Sequence, residues 1–356
     1  MATESRRAFL GRLALGLGVV ATQRAFGQPA ERAAFVGAET SAETRLSQAV
    51  FVSASGERLG HVPLDFRAHG FASHGTRLVV FPRRPGDRFA LLDRRSLEIL
   101  KVVAAPPDRS FYGHGAFTRD GAHLLIAEND LETLGGAIGI YDSNGARVGQ
   151  VALPGPGPHE IARHPSRDVF FVAVGGLETH PDYGRTPFNL HEFHSEIVVF
   201  DFERGTLDSM GIWPGTEGVS LRHLAMDHAG RLYVGGQVTD ESRARGAEVL
   251  WVVDRDRVDR IETVAALGGY VSSVAASGNR ALVSSKETGM ALKLDGTSIL
   301  RSTACIGASA VGLGPRVEAV AGFTDLNLGE TRLPAAAGFE FDNHGLAVLA
   351  GGTRAS

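Results

Sequence analysis

The sequence predicts an all-β fold, a β-propeller of seven four-stranded blades whose ring is closed by joining the N- and C-terminal strands. Three observations carry that expectation. Short apolar bursts such as Leu124-Leu125-Ile126 and Phe170-Phe171-Val172 recur between Gly and Asp clusters. A four-part unit of roughly 45 residues repeats in fixed order along the chain. A histidine stands at the same place in four of those units. Two stacked β-sandwich domains would explain the alternating strands but not the fixed order of parts.

The chain opens on Ser5-Arg6-Arg7-Ala8-Phe9-Leu10, then a mildly apolar run from Leu13 to Ala21, then Ala25-Phe26-Gly27. A paired-arginine head, a short apolar stretch and a small-residue cleavage site form a twin-arginine export signal. Residues 1–27 are therefore expected to be a signal peptide, and residues 28–356 a single propeller domain released into the periplasm. Nothing later in the chain approaches the roughly 18 consecutive apolar residues of a membrane span. The formal charge is -4, and the first 27 residues carry four Arg and one Glu, so cleavage makes the chain more acidic. Nucleic acid is accordingly an unfavourable partner. Cys305 is the only cysteine, so no intrachain disulfide can form, and its apolar neighbourhood reads as a buried small side chain.

Each repeat begins with a turn and an apolar strand: Gly75 to Val80, Gly121 to Ile126, Gly230 to Val234, Asn279 to Val283. A second strand ends on aspartate, at Asp93, Asp142, Asp201, Asp254 and Asp295. A short turn and a third strand follow. A histidine-headed strand comes next, at His69, His114, His159 and His223, spaced by 45, 45 and 64 residues. A four-stranded unit of this length cannot bury both faces until neighbours stack around an axis, which is the logic of a propeller blade. Ala49 through Leu64 reads as the outer half of one more blade, with its inner strands supplied from Gly338 to Leu349 near the C-terminus. Residues 308–340 repeat poorly, which leaves six blades as the alternative count.

In such a ring the long second-to-third connections lie on one face: Pro82 to Arg88, Glu128 to Gly136, Gly175 to Ser195 and Gly235 to Ala247. The opposite turns are short Asp-Gly and Asn-Gly types with no room for a site. The histidine-headed strands open on the long-loop face, beside the axis. His69, His114, His159 and His223 are therefore the candidate ligands of a transition metal, iron, copper or zinc, since neutral imidazole suits all three. Glu160, Glu128 and Asp130 are placed to complete or orient such a site. Arg83, Arg185 and Arg222 fall on the same face, where planar guanidinium captures a small anionic ligand bidentately. His180 and Asp182 occupy the longest loop, and Tyr270 and Ser272 open an inner strand at the same channel end. A repeat can also copy a structural role, with each histidine merely packing its own strand start. No serine-nucleophile elbow, zinc-protease helix motif or phosphate loop is present.

At these residues the chain resembles the bacterial family known as domain of unknown function 1513. The resemblance rests on Ala68-His69-Gly70-Phe71, Arg83-Arg84-Pro85-Gly86, Phe111 to Gly115, Ala127 to Asp130, Gly157-Pro158-His159-Glu160, Thr179 to Asp182, Leu221-Arg222-His223-Leu224 and Asp342-Asn343-His344. It implies a twin-arginine-exported periplasmic propeller, encoded beside imelysin-like and di-haem peroxidase-like proteins. That context points to iron acquisition and to periplasmic iron-uptake proteins as partners. It brings no activity with it.

Metal handling, of iron or copper, is the function the repeated histidines favour. The alternatives are a propeller enzyme of the lactonase or oxidoreductase kind, with a channel histidine as general base and Arg222 stabilising developing charge, and a scaffold binding an envelope protein on its long-loop rim.

Overall fold

The computed structural model describes residues 32–348 apart from 212, 214 and 243–246. The expected export signal lies outside the described residues. Seven antiparallel sheets of four strands each form the ring. The first blade contains β1 (Ala33–Ser41), β2 (Ser47–Ser53) and β3 (Arg58–Leu64), with the C-terminal β28 (Phe339–Ala347) as its innermost strand. The second runs from β4 (Ala68–His74) through β5 (Arg77–Pro82) and β6 (Arg88–Asp93) to β7 (Glu98–Ala104). The third holds β8 (Arg109–Phe117), β9 (His123–Asp130), β10 (Gly136–Asp142) and β11 (Arg147–Ala152). The fourth holds β12 (Pro158–Arg163), β13 (Val169–Val174), β14 (Glu196–Asp201) and β15 (Thr206–Ser209).

Blade five is β16 (Val219–Met226), β17 (Leu232–Val238), β18 (Leu250–Asp254) and β19 (Arg257–Arg260). Blade six is β20 (Ser273–Ser277), β21 (Arg280–Ser285), β22 (Met290–Asp295) and β23 (Ser298–Ala304). The poorly repeating stretch is blade seven: β24 (Ala310–Gly314), β25 (Val317–Ala321), β26 (Asp325–Leu328) and β27 (Thr331–Pro334). Six blades, the alternative count, is thereby excluded. One expectation about closure is corrected: the C-terminus supplies only the innermost strand, and the second strand of that blade, β1, comes from the N-terminal side. Pairing β28 with β1 joins the last described strand to the first blade and leaves no open seam in the ring.

The apolar bursts are middle strands buried on both faces between neighbouring blades. Phe81, Phe89, Phe111, Ile126 and Tyr141 form one such layer between blades two and three; fully burying one such large side chain contributes about 1.5–3 kcal/mol. Outer strands such as β7 and β23 face solvent, and they expose apolar side chains there, among them Leu100 and Leu300. The repeated aspartates have a local cause. Asp93 Oδ1 accepts the backbone N–H of Arg95 and Ser96, Asp142 Oδ1 that of Asn144 and Ala146, and Asp201 Oδ1 that of Arg204. Each carboxylate thus closes the turn that starts the outer strand.

A candidate metal centre at the propeller axis

Five of the seven innermost strands carry a histidine near their channel end, and those five strands also break ladder register there. The irregularities fall at Ala68/Phe71, Phe111/Gly115, Pro158/Ile161 and Leu221/His223, and at Gly37/Glu39, where β28 bulges opposite β1. The inner strands of blades six and seven carry no histidine and pair in regular register. A bulge re-aims a side chain out of the sheet plane, and here it turns each imidazole inward. Two glycines permit the approach. A Cβ on Gly70 would sit 2.3 Å from the Gly113 carbonyl oxygen, and one on Gly113, whose φ is +102°, would sit 2.5 Å from Cδ2 of His69.

The structure brings His69, His114, His159 and His223 together, with His344 as a fifth member. Their rings form a packed cluster: centroids lie 4.9 Å apart for His69 and His114, 4.8 Å for His114 and His159, 4.8 Å for His159 and His223, 4.6 Å for His223 and His344, and 4.6 Å for His344 and His69. All five residues are buried. His344 is absent from the sequence-derived ligand set because its strand follows the irregular seventh blade and completes the first one from the other end of the chain. Its motif, Asp342-Asn343-His344, was the signal that could have found it. Asp342 accepts a two-pronged hydrogen bond from Arg67 at 2.6 and 3.1 Å and one from Thr40 at 2.8 Å. That clamp fixes β28 against the second blade and holds His344 in its left-handed conformation, φ 64°, which histidine tolerates better than most residues.

Hydrogen bonding distinguishes the two nitrogens of each ring. The Glu160 carboxylate receives Nδ1–H of His223 at 3.2 Å and stands 3.5 Å from Nδ1 of His114. Ser273 Oγ bonds Nδ1 of His344 at 3.2 Å. Nε2 of His114, His223 and His344 is left buried without a partner, as is Nδ1 of His69 and of His159. Two trios, His69 with His114 and His159, and His114 with His223 and His344, each present one nitrogen per ring within 4.8 Å of one another. Nitrogens around a first-row ion, at bonds of about 2.1 Å, stand roughly 3–3.5 Å apart when adjacent, so either trio could hold an ion once its rings draw together.

Burial, reinforced by neighbouring imidazoles and Arg83, holds His69 well below the ordinary imidazole range, and burial does the same for His159 and His344. It lowers His223 to about 4 against the opposing pull of Glu160. Burial would raise the Glu160 carboxyl, but His114 and His223 outweigh it and hold it well below the carboxylate range. Neutral rings beside a fixed carboxylate are the protonation states that bind a metal.

Above the cluster a cavity of about 240 Å³ opens on the long-loop face, with His69 and His159 in its lining beside Arg83, Arg84, Arg185, Arg222, Gln237, Tyr270, Lys286, Glu287 and Asn343. Arg83, Arg185, Arg222 and Tyr270 therefore meet at the site. The other sequence-derived candidates do not reach it. Glu128 is buried inside blade three, where it accepts from Tyr141 and Arg147 at 2.6 and 2.8 Å. Asp130 is paired with Arg109 at 2.6 Å and caps its own turn. His180 Nδ1 accepts the backbone N–H of Asp182 in the rim loop. Ser272 Oγ accepts the backbone N–H of Lys286. These four engagements satisfy local backbone or ion-pair demands that no spacing pattern announces. Cys305 is buried and receives a hydrogen bond from Asn327 at 3.1 Å.

No curated protein matches the chain by sequence. Its fold is similar to a chain of the hydrazine synthase of Kuenenia stuttgartiensis, with 13% identity, 90% of this chain and 99% of that one covered and a TM-score of 0.61. It is also similar to a protein of unknown function from Bacteroides caccae, at 11% identity, 89% and 99% coverage and a TM-score of 0.52. A chain of the nidogen/laminin complex is similar at 9% identity, 89% and 98% coverage and a TM-score of 0.55. At such identities the likeness extends to the propeller fold alone. The model of one family spans residues 62–348, from the outer edge of the first blade to the end of its innermost strand, and on that match the chain belongs to the DUF1513 family of proteins of unknown function.

Proposed function

We propose that the protein binds one transition-metal ion per chain at the propeller axis, and that it does so in the periplasm as part of iron or copper handling. The observation that carries this reading is the set of five buried ring nitrogens without partners, facing one another while Glu160 and Ser273 engage the opposite nitrogens of three rings. Leaving a buried polar atom unpaired costs about 1–3 kcal/mol, and a metal ion would satisfy the three nitrogens of one trio at once. One ion rather than two follows from His114. It belongs to both trios, yet its Nδ1 faces Glu160, so it has a single nitrogen to give. Imidazole ligands suit iron, copper and zinc. The paired-arginine signal supports the periplasmic setting, and the family pattern supports the link to iron acquisition.

An enzymatic role has one supporting observation. His69 and His159 line the open cavity, so an ion on their trio would have a position facing solvent, as catalytic three-histidine sites do.

Elemental analysis of untagged protein purified from the periplasm is the test. Near-stoichiometric iron, copper or zinc, lost in a His114→Ala, His344→Ala double variant that still folds, supports the reading. Wild type that carries no metal and takes none up on dialysis against Fe(II), Cu(II) or Zn(II) overturns it.

A further inference from the structure

Five side-chain cations line the cavity above the imidazoles: Arg83, Arg84, Arg185, Arg222 and Lys286. Among the described residues none of them forms an ion pair, although the protein pairs many of its other arginines, such as Arg58 with Glu39 and Arg147 with Glu128. Glu287 is the one carboxylate in the lining. The contacts these cations do make are neutral and orienting. Arg84 donates to the Tyr112 hydroxyl at 2.8 Å and lies 4.9 Å from the centre of that ring, while Lys286 stands 5.5 Å from the centre of the Tyr270 ring. Arg222 is directed by Ser220 Oγ. Burial and mutual repulsion lower Arg83 and Arg222 to about 10, a measure of how poorly the protein alone compensates this charge.

Like charges converging on a low-dielectric cleft focus a field that raises the local concentration of a counter-ion. Guanidinium forks add geometry, since each matches two oxygens of a carboxylate or phosphate. The volume of about 240 Å³ is below the range of roughly 300–1,000 Å³ usual for drug-sized ligands, which favours a compact molecule.

We propose that this cavity binds a small polyanion with two or more carboxylate or phosphate groups, held by Arg83, Arg84, Arg185 and Arg222, with its innermost oxygen reaching the metal at the imidazole floor. The cationic half of this inference stands on the cavity alone, and the contact to the ion rests on the metal reading above. A chelated metal would then enter as a unit, with the arginines reading the chelator and the histidines the ion.

Calorimetric titration of the mature full chain, metal-free and zinc-loaded, with citrate, pyrophosphate and acetate tests it. Citrate or pyrophosphate should bind the metal-free protein, weaken with added salt, and bind the zinc-loaded protein more tightly, while acetate binds neither form. Preference for citrate or for pyrophosphate tells carboxylate from phosphate. Arg83→Gln and Arg222→Gln should each weaken binding about tenfold or more, the loss of a charge-assisted hydrogen bond. Arg185→Gln, on the exposed rim, provides a variant that keeps its fold should the deeper ones not. Neither polyanion binding better than acetate, or binding unchanged in all three variants, overturns the proposal even where zinc binds stoichiometrically. Arginine-dependent binding to a protein that takes no metal upholds the cationic cavity and discards the metal site.

Discussion

Glu160 receives the Nδ1–H of His223 at 3.2 Å across the seam between the fourth and fifth blades. With His114 Nδ1 at 3.5 Å from its other oxygen, one carboxylate sets the orientation of two rings on two further strands. Outer-shell carboxylates of this kind typically change metal affinity by 10–100-fold. Glu160→Gln should therefore lower metal affinity by roughly one to two orders of magnitude in a competition titration against a chelator, with the melting temperature of the metal-free form little altered. Unchanged affinity would mean that Glu160 orients nothing of consequence.

His114 is common to both trios and His180 to neither. His114→Ala should abolish stoichiometric metal because it breaks both trios, whereas His344→Ala, which breaks only one, should weaken metal retention less. His180→Ala should leave metal content at the wild-type level. Inductively coupled plasma analysis of the three variants checks the order, and loss in His180→Ala would move the site to the rim.

Acid should destabilise the metal-free protein in a defined window. His223 is lowered to about 4, chiefly by burial, while an unfolded imidazole titrates near 6.5. Between those values the unfolded chain binds a proton that the folded chain refuses, so unfolding free energy rises with pH across the window and falls as pH drops through it. His69, His159 and His344 shift in the same direction. Urea midpoints should be level above about pH 7 and decline from about pH 6.5 toward pH 4. A flat profile there would mean that the cluster is not held neutral by burial.

Glu128 offers a structural contrast. Its side chain is fully buried and accepts from Tyr141 and from the part-exposed Arg147, and deleting it leaves the buried Tyr141 hydroxyl unpaired at a cost of about 1–3 kcal/mol. Glu128→Ala should lower the urea midpoint sharply and leave metal stoichiometry of the folded fraction intact. A variant of normal stability that loses its metal would instead assign Glu128 to the site.

Much of this was legible in the sequence. The propeller could be read because blade formation is local: a tight turn, an apolar strand and an aspartate-closed turn recur over a short stretch, and each part follows from backbone hydrogen bonding and two-sided burial. Four channel histidines were legible for the same reason, since they occupy one repeated position. Blade seven was less so, its strands being short and its turns unlike the others, and its place comes from the two neighbours that bury its faces.

What only the tertiary structure decided lies across the seams between blades. His344 joins the cluster because ring closure carries the last inner strand back to the first blade, and Asp342 locks it there against Arg67. Glu128 and Glu160 have the same chemistry, yet one is consumed by a tyrosine and an arginine of its own blade and the other bridges two imidazoles. Local pattern specifies strands and turns because those interactions join residues near in sequence; which charges end up facing one another at the axis depends on contacts between residues far apart in the chain, and these exist only once the ring has closed.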